Sequence, residues 1–133
     1  DLEARTFFGG LKTDAGRNRC VPIHPLIYEL VKRNYDNAVA CGSSYLFNDE
    51  NGQQGTWLTY DKYRGRFNKI NKKLGQNHRP HDTRHTFITK AKEAGVNEYV
   101  LKLIVGHAIE DITEKVYTHR TMQQLAEEIQ KIK

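Results

Sequence analysis

The sequence has no long apolar run and only two cysteines among its 133 residues. A helix that crosses a membrane needs about 20 consecutive apolar residues, and the first ten residues lack the basic and then apolar order of a signal peptide. Cys20 and Cys41 stand far apart without a CxxC pair, whereas short secreted chains usually carry more cysteines. We therefore expect a soluble intracellular protein with reduced thiols and no membrane partner.

Repeats, low-complexity segments and a glycine-rich phosphate loop after a strand are also missing from the sequence. Strand and helix patterns do not alternate for long, which argues against a doubly wound α/β fold with a nucleotide cofactor. The length suits one domain and is short for two. We therefore expect residues 1–133 to form a single domain without a cofactor.

Two short stretches near the start have the composition of strands, residues 4–8 (ARTFF) and 19–23 (RCVPI). The Gly, Asp and Asn residues between them suit a hairpin turn. Residues 24–42 then carry apolar side chains at helical spacing, with Gly42 as the stop. A brief extended piece is expected at residues 45–47.

Five further helices are predicted after this region. Thr59 caps a helix with an apolar side, Pro80 lies in the first turn of a helix from His81 to Ala94, and Asn97 caps a short helix that Gly106 ends. Residues 110–117 form another short helix, and a capping box at residues 121–124 begins the last one.

The last helix has a seam on one side, formed by Met122, Leu125, Ile129 and Ile132. With one small antiparallel sheet near the N-terminus and helices elsewhere, the predicted fold class is α+β, mainly α-helical.

Positive charge is concentrated in one part of the chain. Residues 59–92 hold ten Lys and Arg against two acidic residues, while the whole chain carries a net charge of +5. The rest of the chain is therefore slightly acidic. A local surplus of this size fits a folded domain that faces a polyanion, although a solvated helix face is the alternative.

The segment RPHDTRHTF, residues 79–87, crowds cationic donors around the start of a helix. His81 and Arg84 are three residues apart and share a helix face, where free backbone amides and the helix dipole favour an anion. The guanidinium of Arg84 offers a fork of donors to two phosphate oxygens. A phosphate suits this place, and a carboxylate would also fit.

The spacing of His81 and His85 is i, i+4, which also raises the possibility of a zinc site. Asp82 stands where such enzymes have Glu, and Arg84 would place a fixed positive charge beside the cation. We therefore predict no metal, and we expect His85 to pack or cap.

The landmarks HDTRH at 81–85, VGH at 105–107 and VYTH at 116–119 resemble those of the tyrosine recombinases, the integrase family of site-specific recombinases. Their order is similar, and so are the separations of 3, 23 and 10 residues between His81, Arg84, His107 and Tyr117. The LKT of the hairpin resembles the family's turn lysine, which indicates Lys12.

The resemblance implies attack by Tyr117 on a backbone phosphate of double-stranded DNA, giving a 3′-phosphotyrosine link without ATP or a metal. Tyrosine ordinarily has a pKa of about 10, so neighbouring cations must assist it. By resemblance, Arg84 and His107 stabilise charge on the phosphate, His81 assists proton transfer, and Lys12 protonates the leaving 5′ oxygen.

Four basic residues are expected to contact the DNA backbone: Lys69, Lys72, Lys73 and Arg79. The resemblance also implies a homo-oligomer on DNA through the C-terminal helix, and work on the nucleoid in a bacterial cytoplasm, for a phage or mobile element.

The family's first active-site arginine lies on a helix before the sheet, and Arg5 is no substitute by position. We expect the chain to be a C-terminal part of the catalytic domain, without the core-binding domain and nearly inactive alone. Two alternatives remain open, a type IB-like topoisomerase and a DNA-binding module without catalysis.

Overall fold

The computed structural model of the chain describes residues 1–10, 16–49, 52–109 and 121–133. These residues form two compact units, one of residues 1–28 and 87–133 and the other of residues 29–86. Among them are five helices and one two-stranded antiparallel sheet. The predicted fold class, mainly helical with a small sheet near the N-terminus, is confirmed.

The first unit is built on the hairpin of β1 (Thr6–Gly9) and β2 (Arg19–Pro22). The strands are antiparallel, with Thr6 opposite Pro22 and Gly9 opposite Arg19. Helices α4 (Glu98–Val105) and α5 (Met122–Ile129) both contact β2 and each other. Two helices therefore pack against the hairpin through β2.

The core of this unit has a simple sequence origin, because the apolar positions of β2, α4 and α5 recur at strand and helix spacing. Its buried members are Val21, Val100, Ile104, Leu125 and Ile129. A second cluster of Ala91, Val96, Leu101 and Val105 joins the end of α3 to α4. The seam predicted for the last helix is thus packed within its own unit.

Helix α1 (Pro25–Ala40) begins in the first unit and continues in the second, and α3 (Asp82–Glu93) runs from the second into the first. The second unit also contains α2 (Tyr60–Lys73), capped by the Thr59 side chain as predicted. The helix predicted for residues 110–117 lies outside the described residues.

The apolar stripe predicted for α1 is mostly exposed. Ala38 is the residue of this helix that is buried, whereas Leu30 and Val39 are 50% and 62% exposed. Ile70 and Leu74 on and after α2 are exposed as well. Helical periodicity identifies an apolar face, but it does not tell whether another element covers that face.

The extended piece predicted at residues 45–47 is displaced toward the C-terminus. An isolated antiparallel bridge joins Asn48 to Trp57. Before it, the Ser43 hydroxyl donates to the Gly55 carbonyl at 2.8 Å and accepts from the Tyr45 amide at 3.1 Å. This side-chain turn bends the backbone where extension was expected.

Candidate active site

The start of α3 is fixed by its own side chains. Pro80 precedes the helix, and the Asp82 carboxylate accepts from the Arg79 backbone amide at 2.9 Å. This hydrogen bond is the main reason that the pKa of Asp82 is lowered from 3.8, and the charge of the Arg79 guanidinium adds to it against the opposite effect of burial. Asp82 therefore stays ionised and holds the first turn in place.

Arg84 lies on this first turn, and His81, where the sequence predicted the helix to begin, directly precedes α3. The His81 side chain is exposed and Arg84 is half-buried, and the Arg84 amide donates to the His81 carbonyl at 3.1 Å. The ring of His85 meets that of His81 edge to face, with centroids 5.1 Å apart. The two histidines thus contact each other beside an arginine at a helix N-terminus.

A buried amide ties this turn to α2. Asn71 is 8% exposed, and its Nδ2 donates to the His78 carbonyl at 2.6 Å. The Gln76 amide donates back to the Asn71 carbonyl at 2.9 Å. The segment that leads into α3 is therefore anchored on the helix that carries the basic residues.

His107 follows the end of α4. Gly106 has φ 71° and ψ 42°, the left-handed conformation that commonly ends a helix, and its amide donates to the Lys102 carbonyl at 2.8 Å. The His107 amide donates to the same carbonyl at 3.0 Å. The cap therefore turns the chain sharply and leaves the His107 side chain exposed.

Arg19 is a residue that the sequence analysis did not single out. Its Nε donates to the Ile104 carbonyl at 2.8 Å and its Nη1 to the Gly16 carbonyl at 2.9 Å. The partner in α4 is 85 residues away in the sequence, so no local pattern indicates this contact. It joins the hairpin to the helix end that precedes His107.

Asp49 is a second residue that sequence reasoning missed. Its carboxylate is almost fully buried and forms ion pairs with Lys62, at 2.5 Å, and with Arg66. The hydrogen bond from Lys62 and then that from Arg66 lower the pKa of Asp49 from 3.8, against the opposite effect of burial. The only sequence signal was an acidic residue in a turn that precedes a basic helix.

The predicted DNA-binding residues are exposed at and beyond the second half of α2. Lys69, Lys72, Lys73 and Arg79 all expose their side chains, and the Arg79 guanidinium lies 3.6 Å from the Asp82 carboxylate. Next to them an open cavity of about 520 Å³ is lined by Asp49, Gly52, Lys62, Gly65, Arg66 and Lys69. One side of α2 therefore presents a dense set of cations.

Two predicted catalytic residues, Lys12 and Tyr117, lie outside the described residues. His81 and Arg84 belong to the second unit and His107 to the first. The structure thus places His81 and Arg84 together at the start of α3. In the first unit, Gly106, which directly precedes His107, lies beside Gly16 and Arg19 of the hairpin.

Within the described residues, no group of three or more His, Cys, Asp and Glu side chains is arranged to hold a metal ion. None of the helices in that part of the chain has the length and apolar character that a membrane crossing requires.

Residues 1–124 match the phage integrase family. The chain is 33% identical to tyrosine recombinase XerA of Pyrococcus horikoshii over 129 residues, which cover 89% of this chain and 41% of the relative. It is 38% identical to XerA of Saccharolobus solfataricus over 72 residues, 53% of this chain and 24% of the relative.

A third relative is the transposase from transposon Tn916 of Enterococcus faecalis, 34% identical over 67 residues, 50% of this chain and 16% of the relative. The chain therefore spans about two fifths or less of the length of these relatives. No solved structure matches it.

Proposed function

Because this chain belongs to the phage integrase family, we propose that it takes part in site-specific DNA recombination, by cleaving and rejoining strands through a covalent link at Tyr117. The relatives named tyrosine recombinase and transposase support this reaction class. The observation that carries the proposal is the pair His81 and Arg84 at the start of α3, where the Asp82 carboxylate holds the first turn in place.

In the proposed reaction the Tyr117 oxygen attacks the phosphorus of a DNA phosphodiester. The bond between phosphorus and the 5′ oxygen breaks, and that oxygen takes a proton from Lys12. The phenol proton leaves by way of His81. One phosphate ester is exchanged for another, so the later reversal onto a different strand needs no added energy source.

Arg84 has the chemistry that the transition state requires. A guanidinium donates two parallel hydrogen bonds and stays charged at every ordinary pH. Half-buried at a helix N-terminus, it adds to the backbone amides and the helix dipole, which also favour negative charge. His107 would add a directed donor to the same phosphate.

The cationic side of α2 is proposed to lie along the DNA backbone. Lys69, Lys72, Lys73 and Arg79 are exposed, and Lys62 and Arg66 are held in place by Asp49. Phosphate contacts of this kind give affinity and register rather than sequence choice.

The proposal includes a homo-oligomer on DNA, in which α5 packs on a neighbouring copy. Leu125 and Ile129 are buried in their own unit, so the neighbour would have to accept the same apolar side chains in exchange, as in domain swapping. Such an assembly would work in the cytoplasm, on the nucleoid.

We further propose that the chain corresponds to part of a recombinase catalytic domain, because it spans 41% of the length of XerA of Pyrococcus horikoshii, and that it cleaves slowly alone. The family's first arginine is not matched by position in residues 1–133. Losing one preorganised donor typically costs about 10²–10³ in rate.

A nicked suicide duplex tests the proposal, because release of a short strand traps any protein joined to DNA. The unsubstituted chain should give a covalent adduct over long incubation, and Tyr117→Phe should give none while binding the duplex equally well. Tyr35→Phe, which removes a phenol oxygen from an exposed tyrosine of α1, is the matched control. An adduct that persists in Tyr117→Phe would show that another residue is the nucleophile.

A further inference from the structure

Arg19 links two elements that are distant in the sequence. It is the first residue of β2, opposite Gly9 of β1. Its side chain reaches the Ile104 carbonyl in the last turn of α4 and the Gly16 carbonyl in its own hairpin. One guanidinium therefore holds a helix end and a hairpin end together.

The last carbonyls of a helix have no partner within the helix, and a cation there is favoured by the helix dipole. The Ile104 carbonyl is one of these groups, and Arg19 Nε donates to it at 2.8 Å. Arg19 is thus a cap of α4 supplied by the hairpin, one turn before His107.

Glycines allow the backbones of the hairpin and of the α4 end to approach closely at this junction. A Cβ on Gly106 would lie 2.8 Å from the Gly16 Cα and 3.1 Å from Arg19 Nη1. A Cβ on Gly10 would overlap both the Gly16 carbonyl oxygen and the same guanidinium nitrogen. The Asn18 amide closes the hairpin by donating to the Gly10 carbonyl at 3.3 Å. The backbones can approach this closely only because Gly10 and Gly106 have no Cβ atom.

We propose that Arg19 is a positioning residue that holds the end of α4, and with it the chain segment that presents His107, against the hairpin. Gly10 and Gly16 of the hairpin both lie at this Arg19 junction. The inference rests on the proposed function, in which His107 donates to the scissile phosphate. The position of the α4 end then decides whether His107 reaches that phosphate.

Arginine suits this place better than lysine. The two carbonyls are met by different nitrogens, Nε and Nη1, and a guanidinium holds its N–H groups in a fixed planar fork. Lysine has one compact ammonium on a flexible stem, so it should keep the charge at the helix end but lose the fixed geometry. Arg19→Lys is therefore expected to be intermediate.

Amide hydrogen exchange in this chain tests the junction without activity. Arg19→Gln should speed exchange about tenfold or more at the amides of Asn18, Gly106 and His107, while Leu101 in the middle of α4 stays protected. The control is Lys131→Gln, which removes a cation that donates to the Gly95 carbonyl in the same unit. Unchanged exchange in Arg19→Gln, or equal acceleration at Leu101, would overturn the proposal.

Single-turnover cleavage of the suicide duplex tests the positioning. Arg19→Gln should slow cleavage about 10- to 100-fold. In a His107→Ala background the same substitution should slow cleavage little further, because the side chain that Arg19 positions is already missing. Equal slowing with and without the His107 side chain would mean that Arg19 only supports the fold. If the unsubstituted chain gives no adduct, the proposed function fails, and hydrogen exchange still decides the junction.

Discussion

The Lys62 ammonium lies 2.5 Å from the carboxylate of Asp49, which is buried to 1% exposure, and Arg66 pairs with the other carboxylate oxygen. This cluster joins the loop before α2 to the cationic side of that helix. From this cluster we predict how the stability of the unit changes in acid and when the Asp49 carboxylate is removed.

The folded-state pKa of Asp49 lies below its ordinary value of 3.8, first because of Lys62 and then because of Arg66. Stability from this group is therefore present above about pH 4 and is lost as the pH falls through the folded-state pKa. Asp49→Asn should lower the melting temperature at pH 7, and its difference from the unsubstituted chain should narrow in acid.

Thermal unfolding between pH 2.5 and 7 measures this effect. Proton uptake on acid unfolding should fall by at most one proton in Asp49→Asn, since one carboxyl group is removed. Asp82 also has a lowered pKa and titrates in the same window, so Asp82→Asn is the comparison. A constant difference in melting temperature across the range would contradict the assignment.

The second prediction concerns Lys69, Lys72 and Lys73. Each phosphate neutralised contributes about 0.9 to the slope of log K against log salt concentration. The triple Lys→Gln variant should therefore flatten the slope by up to about 2.7, measured by fluorescence anisotropy on a duplex.

The control is a second triple variant, Lys32→Gln, Arg33→Gln and Lys131→Gln. It removes the same number of positive charges, but outside the basic stretch. If both triples change the slope equally, net charge and not a defined surface explains the binding.

The third prediction concerns Gly106, where a side chain would be unfavourable both because of the left-handed backbone and because of contact with the hairpin. Alanine in the left-handed conformation costs about 1–2 kcal/mol, and at Gly106 its Cβ would also press on Gly16. Gly95 has the same φ of 71° with nothing within 4 Å of an added Cβ. Gly106→Ala should therefore lower the free energy of unfolding more than Gly95→Ala does. If urea denaturation shows the same loss in the free energy of unfolding for both variants, the junction relaxes around the added methyl group.

The fourth prediction tests exchange of α5 between copies. A photo-reactive residue in place of Met122, which packs against the core, should crosslink within one copy in free protein. On assembled DNA it should crosslink to a second copy. The exposed position Glu127 is the control. Crosslinks that remain within one copy under both conditions would rule out packing in trans.

Local signals in the sequence were sufficient for the helix ends. Thr59, Asn97 and the capping box at Thr121 hold the caps they predicted, because each cap depends on residues three positions apart. The turn that carries His81 and Arg84 was predictable for the same reason.

Contacts between distant segments were not predictable from such signals. The reach of Arg19 to Ile104 spans 85 residues, and Asp49 shows its role only when α2 folds against its loop. The burial of α5 and the exposure of α1 also depend on what lies opposite, although their apolar patterns look alike in the sequence.

The exposed apolar residues of α1 and α2 determine how the chain behaves in a concentrated sample. Leu30, Val39, Ile70 and Leu74 are each at least half exposed, and self-association would remove such apolar side chains from water. Sulfate strengthens apolar contacts and urea at low concentration weakens them. The sedimentation coefficient should therefore rise with protein concentration in ammonium sulfate, and the increase should be smaller in dilute urea.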